Sequence, residues 1–189
     1  TAWHYTAPDR RADVVKHIAK ELWKLVIAAP GGSDQQFQLV TAYLGYGEEG
    51  DAEFAEHAQG LFDGSLIVAG LEIDNNFTWT IINALSSVKL IDQAGIDAQL
   101  AKRDTTENRE FALGAHAVRG DAAAKEWAWN EALNNADLTN MQLEAVARGF
   151  GATPRPDLAE PYAAKYYDVV DWVWKNKSFH MAEALLEGL

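Results

Sequence analysis

The stretch "GDAAAKEWAWNEALNNADLTN", Gly120 to Asn140, decides the fold, because it combines a helical pattern with tryptophans on opposite sides. Trp127 and Trp129 are two positions apart, so their side chains lie about 200° apart around an α-helix. A helix inside a stacked array of helices contacts neighbours on two sides, whereas a surface helix needs one apolar face. The pattern predicts core packing for both rings, with an aromatic binding platform as the alternative. Truncation of a buried Trp127 to alanine would cost about 3–5 kcal/mol.

Helix start and stop signals continue on either side of this stretch. The predicted caps and capping boxes are Asp9, Ser33 with Gln36, Asp51, Asp74, Asp92, Asp104 with Glu107, Asp121, Thr139 with Gln142, and Asp157 with Glu160. The predicted last helix covers Ser178 to Leu186. Residues Ser65 to Ile73, "SLIVAGLEI", are predicted to form a loop, because no second strand exists to pair with them.

These signals predict an all-α fold of about ten helices joined by short turns. Helix pairs recur at a spacing of roughly 30 to 40 residues, which is typical of helical repeats. We therefore expect a right-handed superhelix of antiparallel helix pairs, similar to HEAT or armadillo repeats. A closed helical bundle is the second possibility. Residues 1–189 are expected to form a single domain.

Composition excludes several classes of function. The chain of 189 residues has a formal net charge of −12, which disfavours binding to nucleic acids and to anionic membranes. It contains no cysteine, so thiolate zinc sites, disulfides and cysteine nucleophiles are excluded. No apolar run approaches the length of a membrane span, and no signal peptide is visible. These features favour a cytoplasmic protein.

Catalytic motifs are missing from the sequence. No two of the five histidines have the i, i+4 spacing of a zinc helix. His17 with Glu21, and Glu53 with His57, could each supply two ligands, but helix surfaces commonly carry such pairs for structural reasons. The sequence also lacks a nucleophile elbow, a P-loop and a dinucleotide fingerprint. An acidic cluster, predicted to be a solvated surface, comprises Glu48, Glu49, Asp51, Glu53 and Glu56.

The segment "PYAAKYYDVVDWVW", Pro161 to Trp174, repeats the pattern of two apolar helix faces. One face carries Tyr162, Tyr166, Val169 and Val173, and the other carries Tyr167, Val170 and Trp174. We expect both faces to be covered by neighbouring helices. A tyrosine hydroxyl facing a groove is the alternative, because tyrosine has an apolar body and a polar end.

The order of these motifs resembles the C-terminal helical domain that bacterial aminopeptidase N shares with the endoplasmic reticulum aminopeptidases. "KEWAWNEALNNADLTNMQLEAVARGF", "PDLAEPYAAKYYDVVDWVW" and "HMAEALLEGL" carry the resemblance, with "APGGSDQQFQLVTAYL" upstream. The matching positions are Trp127, Ala128, Leu138, Thr139, Asn140, Gly149, Phe150, Pro161, Tyr162, Gly188 and Leu189.

The resemblance implies a non-catalytic part of a zinc enzyme that removes N-terminal residues from peptides. Zinc and the H-E-x-x-H motif would belong to an earlier catalytic domain of the same polypeptide, and this chain would hold no cofactor. The domain would cover the catalytic domain and line a cavity for peptide substrate. Candidate cavity residues are Arg148, Tyr162 and Tyr166, whose polar groups lie near predicted helix ends. The alternative function is a stand-alone helical-repeat adaptor that binds a basic partner.

Overall fold

The computed structural model describes residues 5–152 and 156–189, and these residues form helices joined by turns and loops. The helices are α1 (Pro8–Ala28), α2 (Asp34–Leu44), α3 (Ala52–Asp63), α4 (Asn75–Ser87), α5 (Gln93–Lys102), α6 (Thr106–Val118), α7 (Ala122–Asn134), α8 (Asn140–Gly151), α9 (Pro156–Ala159), α10 (Ala163–Asn176) and α11 (Phe179–Gly188). A 3₁₀ helix, Glu160–Tyr162, joins α9 to α10. The described residues contain no strand, which confirms the all-α prediction.

Most predicted helix starts are confirmed by side-chain caps. The Asp51, Asp74, Asp92 and Asp121 side chains each accept a hydrogen bond from a backbone N–H in the first turn of the following helix. Thr139 and Gln142 form a complete capping box at the start of α8. Each cap supplies an acceptor for an N–H group that has no partner inside the helix.

Three predicted caps differ from the structure. Asp9 lies in the first turn of α1, which starts at Pro8 without a side-chain cap, and Asp157 lies in the first turn of α9, which starts at Pro156. Thr105, and not Asp104, caps α6, because the Asp104 carboxylate binds Arg109 instead. Each of these carboxylates lies within two residues of the helix start, which is the uncertainty expected of sequence-based boundaries.

The predicted Ser33–Gln36 box is only half formed. Ser33 Oγ accepts from the Gln36 backbone N–H at 3.1 Å, but the Gln36 side chain does not return to Ser33. It accepts from the Gly32 N–H at 2.9 Å and donates to the Ala69 carbonyl at 3.2 Å. Gln36 therefore ties the start of α2 to the loop over residues 65–73, which the structure confirms as irregular.

The chain divides into two compact units, Thr1–Leu90 and Ile91–Leu189, and each has its own core. In the first unit, α1 packs on α2, and α4 packs on α2 and α3. Its largest fully buried side chains are Phe54, Phe77 and Trp79. The predictions of one domain over residues 1–189 and of a superhelix stay predictions.

The second unit is built around α8, which packs against α6, α7 and α11. The core includes Trp129, Leu143, Phe150 and Tyr162. α6 and α8 approach so closely that a Cβ atom on Gly149 would lie 2.6 Å from the Gly114 carbonyl oxygen. Glycine is therefore required where these two backbones meet.

The two tryptophans of α7 do lie in different surroundings, but only one is a core residue. Trp129 is 7% exposed and packs against Phe150 and Tyr162. Trp127 is partly buried, and its ring stacks on His116 with 3.8 Å between ring centroids. Trp127 is therefore a partly solvated contact between α6 and α7, and not a second core anchor.

Within the described residues, the two apolar faces of α10 are covered unequally. Val173 is buried on the predicted inner face, and Tyr166 and Val169 are partly buried beside it. On the other face, Tyr167 is 78% exposed and Trp174 is 49% exposed. The expectation that both faces are covered is wrong for the described residues. Val170 is partly buried and Trp174 contacts Phe179 of α11, but much of this face stays exposed at Tyr167 and Trp174.

Candidate functional site

A cavity of about 310 Å³ lies between the C-terminal ends of α8 and α11. Its lining residues are Glu144, Arg148, Gly151, Ala152, Ala184, Glu187 and Gly188. The wall combines one guanidinium with two carboxylates, so it offers both donors and acceptors to a polar ligand.

Arg148 is the predicted site residue that lines this cavity. Its side chain is exposed, and its Nη2 donates to Glu144 Oε1 one helical turn earlier. His180 Nε2 lies 3.8 Å from the other oxygen of Glu144. The guanidinium is thus oriented by a neighbouring carboxylate while solvent still reaches it. Arginine presents several N–H donors in a plane and can bind a carboxylate through two of them.

Tyr162 is a core residue of the second unit. Its ring is 8% exposed, with centroids 5.1 Å from both Trp129 and Phe150. Lys165 Nζ lies 4.7 Å from the centroid of the same ring. Burial raises the pKa of the Tyr162 hydroxyl. Its main contribution is therefore to packing.

Tyr166 connects α10 to α11. Its ring is partly buried, and its hydroxyl donates to the Leu186 carbonyl at 3.1 Å. The Leu186 carbonyl lies in the last turn of α11, where carbonyl groups lack partners inside the helix. Neither Tyr162 nor Tyr166 lines the cavity beside Arg148, so the structure does not bring the three predicted residues into one site.

In each of the two predicted histidine–carboxylate pairs, one member binds a different residue: Glu21 in the first pair and His57 in the second. Glu21 binds Lys24 at 2.6 Å, and His17 is exposed. His57 Nδ1 lies 2.9 Å from the Tyr43 hydroxyl, and its ring stacks on Trp23 at 4.0 Å between centroids. Burial lowers the pKa of His57, which favours the neutral ring.

Within residues 5–152 and 156–189, no three histidine or carboxylate side chains are grouped so that they could hold a metal ion. This part of the chain therefore does not fit a zinc site.

Two carboxylates of the acidic cluster have local structural partners, because Asp51 caps α3 and Glu49 binds Lys89 at 2.7 Å. No helix of the described chain is both long and apolar enough to cross a bilayer.

Lys125 is a buried residue whose environment the sequence did not predict. Its side chain is fully buried, and Nζ donates to the carbonyls of Ala117, Gly149 and Phe150 at 2.6, 3.2 and 3.0 Å. Burial lowers the pKa of Lys125 to about 7. Ala124 and Ala128, which are also buried, are the local sign that this side of α7 faces the core, but they do not identify the acceptors of Lys125.

Comparison with known proteins agrees with this architecture. Residues 2–189 match the family model described as the ERAP1-like C-terminal domain. The chain is also 28% identical over 185 residues to aminopeptidase N of Streptomyces lividans, an alignment that covers 98% of this chain. The chain spans only about a fifth, 21%, of that relative's length. With the whole helical region matched, the chain belongs to the ERAP1-like C-terminal domain family.

Proposed function

We propose that this chain is the non-catalytic C-terminal domain of a zinc aminopeptidase that removes N-terminal residues from peptides. In this role it covers the catalytic domain of the same polypeptide and forms part of the substrate cavity. The observation that carries the proposal is the family match over residues 2–189, to a model that describes a C-terminal domain. The relative named aminopeptidase N, about five times longer, supports the same assignment.

Exposed apolar side chains support burial of part of this surface in a larger protein. Ile67 is 86% exposed, Tyr167 78% and Phe179 71%. Clusters of large exposed apolar side chains are unusual on a protein surface, and they commonly mark a surface that another domain covers. Trp174 and Phe179 form such a pair, with ring centroids 6.0 Å apart.

Arg148 is the predicted cavity residue best suited to meet a peptide. Its guanidinium is open to solvent in a cavity that also contains Glu144 and Glu187. A peptide carboxylate or a backbone carbonyl could accept from the N–H groups that Glu144 leaves free. Tyr162 and Tyr166 then contribute indirectly, by packing α10 and by fixing the end of α11.

The absence of cysteine favours a reducing compartment, so we place the protein in the cytoplasm.

The first experiment compares the isolated chain with the longer polypeptide encoded by the same gene. We expect an upstream H-E-x-x-H motif and hydrolysis of an aminoacyl fluorogenic substrate by the longer polypeptide only. Zinc should leave the melting temperature of the isolated chain unchanged, because a ligand stabilises only a protein that binds it. Hydrolysis by the isolated chain would contradict the assignment, and a gene without the upstream motif would favour the adaptor.

The second experiment tests the cavity role with matched arginine variants of the longer polypeptide. Arg148→Ala removes the guanidinium from the cavity, whereas Arg109→Ala removes an exposed arginine that binds Asp104 elsewhere in the second unit. Hydrolysis rates for peptides of increasing length should change in Arg148→Ala and not in Arg109→Ala. Equal length profiles for both variants and the wild type would remove Arg148 from the proposed cavity.

A further inference from the structure

The ends of α6 and α8 meet at one buried ammonium group. Lys125, in the first turns of α7, donates to Ala117 near the end of α6 and to Gly149 and Phe150 near the end of α8. We call this arrangement, the Lys125 ammonium with its three carbonyls, the helix-end clamp. Three donors meet three acceptors, so the hydrogen-bonding capacity of the ammonium is fully used.

The carbonyls in the helix-end clamp need an external donor. Carbonyl groups in the last turn of a helix have no partner inside the helix, and they form the negative end of its dipole. Two such negative ends lie close together here, because Gly149 allows α6 and α8 to touch. A cation between them offsets their repulsion and satisfies acceptors that would otherwise be buried without a donor.

No carboxylate of the described residues forms an ion pair with Lys125. On α7, Asp121 caps the helix start and binds Arg119 at 3.0 Å. On α6, His116 stacks on Trp127, and burial lowers the pKa of its ring. On α8, the charged side chains nearest the helix end are Arg148 and Glu144, which bind each other at the surface. Lys125 is therefore held by neutral carbonyls, with Asp121 as the charged group that favours its protonation.

We propose that the helix-end clamp is a pH-sensitive device that tightens or loosens the ends of α6 and α8. The protonated amine has three N–H donors and holds all three carbonyls. The neutral amine has two, so one carbonyl loses its donor, and the longest bond, to Gly149 at 3.2 Å, is the first to be lost. Burial disfavours the charged form of an amine that forms no ion pair, so such a lysine can lose its proton well below the usual pH. The pKa of about 7, which burial produces, places this change near pH 7.

The direct test is an NMR titration of the lysine ¹³Cε signals in the full chain. One signal should change around pH 7, whereas the exposed lysines should change near pH 10. The signal is assigned by its loss in Lys125→Met, with Lys175→Met, which removes an exposed lysine of α10, as the control. Even if Lys125→Met fails to fold, the wild-type titration decides. A spectrum in which every lysine changes above pH 9.5 would overturn the proposal.

Hydrogen exchange then tests the effect on the two helix ends. At pH 6, Lys125→Met should accelerate amide exchange in residues 113–119 and 146–152 by about tenfold or more, because charge-assisted hydrogen bonds are lost. The ratio of variant to wild-type rates should fall at pH 8.5, where the wild type has already lost one donor. Lys175→Met should give a ratio near one at both pH values. Equal ratios for Lys125→Met at pH 6 and pH 8.5 would show that the clamp does not respond to protonation.

Discussion

Replacing the two tryptophans of α7 one at a time separates a core anchor from a partly solvated stack. Trp129→Ala removes a ring that is 7% exposed and packs against Tyr162 and Phe150 at centroid distances of 5.1 and 6.0 Å. Trp127→Ala removes a partly buried ring whose principal aromatic contact is the stack on His116. The variants delete the same atoms from one helix, so they differ mainly in surroundings.

The expected costs follow from the buried area. A tryptophan side chain buries about 200 Å² when it is enclosed, and burial contributes about 25 cal/mol per Å². Trp129→Ala should therefore lower the free energy of unfolding by about 3–5 kcal/mol, which is also the usual range for a buried tryptophan. Trp127 is only partly buried, with roughly two thirds or more of this area removed from solvent, so its loss should cost less, about 3 kcal/mol.

Urea denaturation followed by circular dichroism at 222 nm measures both costs. With a slope of about 2 kcal/mol per M, the midpoint should fall by about 2 M in Trp129→Ala and by about 1.5 M in Trp127→Ala. A midpoint shift for Trp127→Ala equal to or larger than that for Trp129→Ala would refute the assignment of Trp129 as the anchor.

Other substitutions test backbone contact, protonation and capping. Gly149→Ala should destabilise by about 1–3 kcal/mol in thermal unfolding, because its Cβ would press on α6, whereas Gly114→Ala meets only ordinary contacts and should be neutral or stabilising. Burial lowers the pKa of His116, so the unfolded chain takes up the proton first as the pH falls below about 6.5. The melting temperature should therefore fall less between pH 7.5 and 5.5 in His116→Gln than in the wild type. Asp74→Ala should cost about 1 kcal/mol in urea denaturation and Asp9→Ala almost nothing, because only Asp74 caps a helix.

Helix positions could be predicted because their signals are local. A cap such as Asp121 acts on an N–H three residues away, so a few residues of sequence contain the whole interaction. The same locality explains the errors at α6, since Asp104 and Thr105 both lie close enough to serve as caps. Arg109 decided between them by binding Asp104 at 2.6 Å. Which of the two residues caps the helix therefore depends on a third side chain, and the capping pattern in the sequence does not include that side chain.

The environment of Lys125 could not be predicted, because its partners lie far along the chain. Ala117 is eight residues away and Phe150 is 25. Lysine is also among the residues least often buried, so any sequence rule places it in solvent. The burial becomes possible only when α6 and α8 bring their carbonyl ends together, and Gly149 permits that approach. Long-range backbone acceptors, which every residue carries, leave no mark in the sequence.

The candidate site shows a related limit of periodicity. Arg148 and Tyr166 both occur near helix ends, as predicted. Arg148 lines a cavity, whereas the Tyr166 hydroxyl donates a hydrogen bond to the Leu186 carbonyl. In α10 the spacing correctly identifies two apolar faces, but the described residues leave Tyr167 and Trp174 on one of them exposed. Periodicity specifies that a face is apolar, and the fold specifies which neighbour covers it. An apolar face that its own chain leaves open, such as the one bearing Tyr167 and Trp174, is therefore where the proposed contact with the rest of a longer polypeptide should be sought first.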